Sequence, residues 1–157
     1  MTGLGHAFYA SDGASATEIA LKMSAHSWRN RGQPEKNQFI GLQGGYHGET
    51  AGALSVTDIP LFREAYAPLL RATHLVPALH EAGALAAIER KLAELQGRCA
   101  AVIVEPLIQG ASGMRMHGPE RLRELRALCT RFEAHLIADE IAVGCGRTGT
   151  FFAWEQV

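Results

Sequence analysis

Two adjacent carboxylates, Asp139 and Glu140, close the apolar run Leu136-Ile137-Ala138 and lead into the loop Gly144-Cys145-Gly146-Arg147-Thr148-Gly149. A carboxylate at the tip of a buried strand is costly unless something positive faces it. Three partners for Asp139 make chemical sense. A magnesium ion beside a nucleotide needs a phosphate loop of the form G-x-x-x-x-G-K-[ST], and the chain contains none. A dinucleotide would suit the literal G-x-G-x-x-G of 144–149. That fingerprint, however, needs a helix after it and an acid about 20 residues on. Here Phe151, Phe152 and Trp154 follow instead, and two acids would repel a pyrophosphate. The third partner is the protonated nitrogen of a pyridine ring, which a carboxylate keeps protonated so that the ring withdraws electrons.

Other segments supply the rest of such a site. In Ser11-Asp12-Gly13-Ala14-Ser15-Ala16-Thr17-Glu18, Gly13 permits a tight turn. The N–H groups of Ala14, Ser15 and Ala16 would then face an anion with the helix dipole behind them. The same residues also spell a capping box, with Ser15 as cap and Glu18 reaching back. Asp12 counts against an anion unless its side chain turns away. Tyr46 and His47 lie between glycines, where a flat aromatic could stack on a planar ring or simply be a half-buried loop residue. Glu105-Pro106 ends another apolar run, and its carboxylate could orient a ligand or be a solvated strand end. A glycine turn for a phosphate, an aromatic for a ring face and an aspartate for a ring nitrogen together compose a pyridoxal 5′-phosphate (PLP) site.

Elements at fixed intervals must position these residues. The pattern predicts helices over 14–31, 60–70, 83–96 and 119–132 and strands at 38–43, 73–77, 100–106 and 134–140. A further strand is expected just before Ser11. In the first helix the apolar Ile19, Ala20 and Met23 are expected on one side. Strands alternating with helices imply an α/β fold with a mainly parallel, helix-covered sheet. In such sheets ligands sit beyond the carboxyl ends of the strands, where all four features fall.

Composition narrows the classes. The 157 residues suffice for one domain with a core. A net charge of −1 leaves no basic footprint for nucleic acid or a membrane surface. No apolar run approaches the ~20 residues of a membrane span. The odd cysteines, Cys99, Cys129 and Cys145, form no CxxC pair, which speaks against a disulfide framework or metal site and makes a cytoplasmic setting the expectation.

The segments 8–23, 45–57, 66–70, 102–122 and 136–156 resemble class III (ω-) aminotransferases of PLP fold type I, essentially from end to end. The resemblance implies that Gly13 and Ala14 hold the cofactor phosphate, with Ser15 a further candidate. It implies that Tyr46 stacks on the pyridine ring, that Asp139 meets its nitrogen and that Ile141 covers the other face. Tyr46 and Arg147 would face substrate, while His47, Glu105 and Glu140 would support the contacting residues from behind. Ala111 stands where many ω-aminotransferases carry glutamate. That departure fits the branch that transfers an amino group from S-adenosylmethionine to 8-amino-7-oxononanoate, giving 7,8-diaminononanoate for biotin. A diamine or ω-amino acid aminotransferase is the alternative, and a non-catalytic gene product is another. Ala14, Glu49 and Cys145 replace a hydroxyl residue, an aspartate and a phenylalanine common in the family.

The family's Schiff-base lysine has no counterpart here: Lys22, Lys36 and Lys91 all lie in the wrong settings. Residues 1–157 are therefore expected to be an internal segment of the large PLP-binding domain. The N-terminal segment, the lysine region and the small C-terminal domain would lie outside it, and the segment alone would be inactive. The parent is expected to be a homodimer acting on small molecules, without nucleic-acid or membrane partners.

Overall fold

Short apolar strands and amphipathic helices in alternation can bury both only as a sheet with helices on its two faces. A computed structural model describes residues 5–157. Its helices are α1 (Gly13–Asn30), α2 (Ala51–Val56), α3 (Pro60–Arg63), α4 (Ala84–Glu94) and α5 (Pro119–Arg131), with 3-10 helices at Glu64–Leu69 and Ala153–Gln156. The strands are β1 (Gln38–Leu42), β2 (His74–Val76), β3 (Cys99–Val104), β4 (Ile108–Gln109), β5 (Arg115–Met116) and β6 (His135–Ala138). Four of them form a sheet in the order β2-β1-β3-β6, parallel throughout. The short β4 and β5 make a separate antiparallel ribbon.

One face of the sheet packs Ile40, Leu42, Val102 and Val104 against Ile88 and Leu92 of α4 and Leu122 and Leu125 of α5. The other packs Phe39, Ala101 and Ile103 against Leu21 and Trp28 of α1. β3 lies in the middle and is buried at every residue, as an unbroken apolar run requires.

Three expectations change. β6 is half-buried along its length rather than buried, because β3 is its one sheet neighbour among the described residues. Among the described residues before Ser11 no strand forms; Phe8 and Tyr9 are exposed and find no sheet partner. The buried stripe of α1 is Thr17, Leu21, Ser24 and Trp28, while Met23 faces solvent. Thr17 and Ser24 belong to that stripe despite their hydroxyls. Ser24 donates to the Ala100 carbonyl at 3.2 Å and so satisfies its buried oxygen.

The capping box is also not formed. Asp12 is the N-cap of α1 and accepts the Ser15 N–H at 2.8 Å. Glu18 instead crosses to the start of α2. One of its oxygens accepts from the Thr50 hydroxyl at 2.7 Å and from the N–H groups of Gly52 at 2.8 Å and Ala53 at 3.1 Å. A six-residue helix with no cap of its own depends on such a borrowed acceptor. Glu18→Ala is expected to cost about 2 kcal/mol, given the strength of hydrogen bonds to a charged group. Thermal unfolding should report a Tm lower by roughly 4–8 °C.

At the amino-terminal edge of the sheet, His135 stacks on Trp28 with ring centroids 4.5 Å apart and bonds to the Ser24 hydroxyl at 2.9 Å. Lys36 is buried, lies over the same Trp28 ring at 3.6 Å and donates to the Glu133 carbonyl at 2.6 Å. Burial, and then nearby Arg31, Lys36 and Arg126, lower the His135 pKa below its ordinary 6.5. Burial lowers His74 and His117 likewise. The unfolded imidazoles therefore bind protons at higher pH than the folded ones. Stability is complete above pH 6.5 and falls as pH drops toward the depressed folded values. Calorimetry between about pH 7 and pH 5 should show Tm falling. His135→Phe, which keeps the stacking and removes one titration, should flatten that slope.

Candidate cofactor site

The carboxyl ends of β1, β3 and β6 open into a cavity of about 460 Å³ that also meets the start of α1. That is large enough for a small cofactor. Its wall includes Gly13, Ala14, Tyr46, His47, Glu105, Asp139 and Ile141, seven of the expected site residues. A larger hollow of about 530 Å³ lies on the outer side of α1, lined by Lys22, His26 and Arg29. It gathers none of the candidate chemistry.

Asp139 follows β6 and is buried. One carboxylate oxygen meets His47 Nδ1 at 2.7 Å and the other accepts the Ile141 N–H at 3.1 Å. The strand thus delivers a carboxylate into an enclosed place, and two fixed partners aim it. Ile141 lies against the helix start, so that a β-carbon added at Gly13 would come within 3.0 Å of its side chain.

Tyr46 and His47 sit on a loop whose successive N–H groups are all held. Gly44 donates to Asp58 at 3.0 Å, Gly45 to the Leu42 carbonyl at 3.0 Å, Tyr46 to Glu105 at 3.0 Å and His47 to the Thr57 hydroxyl at 2.9 Å. The Tyr46 ring tilts against Phe62 at 5.4 Å, and its hydroxyl donates to Glu49 at 3.1 Å. Burial first, and then the Glu49 carboxylate, raise the Tyr46 phenol above its usual value. The phenol stays protonated at neutral pH and the ring is held in one orientation.

At the start of α1 the Asp12 carboxylate turns back on its own turn. It takes the Ser15 N–H and the hydroxyls of Ser15 and Ser11, and these bonds lower its pKa. Asp12 O accepts from Ala16 N–H at 3.0 Å. Gly13 and Ala14 of this turn line the cavity, and the Ala14 N–H also faces the Asp12 carboxylate. Ser15, expected as a further cofactor contact, is absent from the cavity wall because Asp12 uses both of its polar groups.

Two further residues lie away from the cavity wall. Glu140 accepts from the N–H groups of Ala153 and Trp154, both at 2.9 Å, and so caps the 3-10 helix beyond it. Arg147 is exposed in the glycine loop and does not line the cavity. Gly48 and Gly110, which the sequence pattern does not single out as site residues, also line it, as do Asp12 and Glu49. The signal for Gly48 was its place in a glycine-flanked loop. In the sequence Asp12 reads only as an obstacle to an anion.

None of the three lysines lines the cavity. Lys22 is exposed on α1, Lys36 is buried under Trp28, and Lys91 pairs with Glu94. Burial pushes the thiols of Cys99 and Cys129 up to about 12, which leaves them unreactive at neutral pH. No group of three or more potential metal ligands occurs among the described residues. No helix among them is long and apolar enough to cross a membrane.

The profile of the family "Aminotransferase class-III" matches residues 1–157. The chain belongs to the class III aminotransferases. The adenosylmethionine-8-amino-7-oxononanoate aminotransferase of Geobacter sulfurreducens is 39% identical over 96% of the chain and 36% of its own length. That of Helicobacter pylori is 41% identical over 99% and 37%. The crystal structure of the enzyme of the same name from Methanocaldococcus jannaschii superposes with a TM-score of 0.89 at 33% identity, covering 94% of this chain and 34% of that one. An (S)-enantioselective omega-transaminase from Thermomicrobium roseum gives 0.87 at 30%, covering 94% and 36%. This aminotransferase chain thus spans little more than a third of the relatives it matches.

Proposed function

We propose that residues 1–157 form the cofactor-cradling part of the large domain of a class III aminotransferase. Its parent reaction transfers an amino group from S-adenosylmethionine to 8-amino-7-oxononanoate, giving 7,8-diaminononanoate for biotin synthesis. The buried, His47-paired carboxylate of Asp139 at the foot of the cavity carries this reading. Identities of 39–41% to curated enzymes of that name support the biotin branch over a diamine or ω-amino acid substrate; among the solved structures the margin is narrow, 33% against 30%. Ala111 on the cavity wall supports the same branch.

The cofactor is pyridoxal 5′-phosphate, and the residues present suit it. A buried carboxylate fits a protonated pyridine nitrogen, and an aromatic of fixed orientation fits the ring face. Gly13 and Ala14 at a helix start fit a phosphate. The Asp12 charge at the rim weighs against that phosphate, but its oxygens are engaged by Ser11 and Ser15. When bound, PLP supplies the electron sink that amino transfer needs.

The chain's own residues have separate tasks. Asp139 keeps a proton on the ring nitrogen, and His47 holds the Asp139 carboxylate in line. Tyr46 and Ile141, both on the cavity wall, would pack against the faces of a bound ring. Glu140 stiffens the segment that carries Arg147, which faces substrate in the assembled enzyme. The parent works in the cytoplasm as a homodimer on small molecules, without nucleic-acid or membrane partners.

No lysine of this chain reaches the cavity, so the chain by itself does not turn over. Mixing it with PLP and reducing with borohydride should leave Lys22, Lys36 and Lys91 unlabelled at stoichiometric levels. Trapping of PLP on one of them together with measurable amino transfer would refute this division of labour.

A further inference from the structure

Glu105 follows β3 at the cavity, yet the residue is only 4% exposed. One oxygen accepts the Tyr46 N–H at 3.0 Å and the other accepts the Gly110 N–H at 2.9 Å. These donors belong to two different loops, one after β1 and one after β4, and both Tyr46 and Gly110 line the cavity. The turn between Glu105 and Gly110 is unusual. Leu107 has φ of 65°, in the left-handed region that disfavours a side chain, and its carbonyl is tied to the His117 N–H at 2.9 Å. Strain of this kind persists only where the surroundings over-determine it. Here it folds the chain back so that Gly110 meets the carboxylate.

Burial raises the Glu105 pKa, the Gly110 and Tyr46 N–H groups and His47 lower it, and nearby Asp139 raises it further. A buried carboxylate beside a second carboxylate is an expensive way to fill space. Its two charge-assisted bonds are what offset that cost.

We propose that Glu105 is a positioning residue that clamps the Tyr46 loop and the Gly110–Ala111 wall at a fixed separation, and so sets where the Tyr46 ring meets a bound pyridine. The identity of that ligand rests on the function proposed above; the clamp rests on the hydrogen bonds and the Leu107 turn.

The probe is pyridoxamine 5′-phosphate, which needs no lysine to bind. Glutamine offers one oxygen acceptor where glutamate offers two, so Glu105→Gln serves one N–H and sets an amide NH₂ against the other. Binding should weaken about tenfold, as expected for loss of one hydrogen bond to a charged group. Tyr46→Ala should weaken it at least as much. If Glu105 acts through Tyr46, the double variant binds no worse than Tyr46→Ala alone. Multiplying losses, or a Glu105→Gln variant that binds like wild type, would overturn the clamp.

A second measurement needs no variant and no ligand. In a pH titration of the wild-type chain followed by NMR, the Tyr46 and Gly110 amide signals should move together with a single midpoint above the usual carboxylate range. His47, Asp139 and His117, the other titratable groups against Glu105, are followed in the same spectra. Independent movement of the two amides refutes the proposal even if Glu105→Gln fails to fold. A wild-type chain that ignores pyridoxamine 5′-phosphate counts against the cofactor reading, and the amide titration still decides the clamp.

Discussion

Asp139→Asn is expected to weaken pyridoxamine 5′-phosphate binding roughly 10- to 100-fold at neutral pH, the value of about 1.5–3 kcal/mol for a hydrogen bond to a charged group. The carboxylate accepts from Ile141 N–H through one oxygen and faces His47 Nδ1 through the other. Asparagine can keep the Ile141 bond with its carbonyl oxygen. Its amide group then points hydrogen atoms at both His47 and the ring nitrogen, so His47 must change tautomer and the ring loses its anionic partner. Fluorescence titration of the bound pyridine checks the affinity. Circular dichroism in the far ultraviolet checks that the fold persists, because the Asp139 backbone bond to the Val104 carbonyl, at 2.8 Å, does not involve the side chain.

Gly48→Ala is expected to destabilise the chain by about 3 kcal/mol, combining overpacking with left-handed backbone strain. Gly48 has φ of +116°. A β-carbon there would stand 2.5 Å from Ala14 Cβ and 2.6 Å from Ala14 Cα. The clash is with the Ala14 β-carbon and the backbone that carries it, so no side-chain rotation relieves it. The loop bearing Tyr46 and the turn bearing Gly13 and Ala14 would be forced apart, and ligand binding should fall with stability. Denaturant unfolding gives the first effect; titration of the folded fraction gives the second. Gly97→Ala is the control, since its β-carbon meets nothing within 4 Å although φ is +75°. A larger loss at Gly48 than at Gly97 is the predicted result, since Gly48 adds both the contact with Ala14 and a more strained φ.

Much of this arrangement is legible in sequence because burial imposes simple patterns. The Cys99–Val104 run can only be a central strand, and the leucines of α5 can face only one way. Asp139 stands out because an acid after Leu136-Ile137-Ala138 needs a partner. The missed features depend on contacts between distant segments. Glu18 looks like a local capping residue, and its bonds to Gly52 and Ala53 appear only once α1 and α2 lie side by side. Ser15 looks available to an anion until Asp12 is seen to hold it. The polar members of the α1 stripe, Thr17 and Ser24, hide its true face from a hydrophobicity pattern. β6 reads as buried because its residues are apolar, whereas its exposure depends on which strand lies beside it.

Isothermal titration of the wild-type chain with pyridoxamine 5′-phosphate, beside pyridoxamine without the phosphate, tests the cradle most directly. Saturable binding at one site per chain is predicted, weakened by removal of the phosphate and by Asp139→Asn through independent contacts. No binding to the folded chain, or equal binding by the wild type and Asp139→Asn, would contradict the assignment of this cavity.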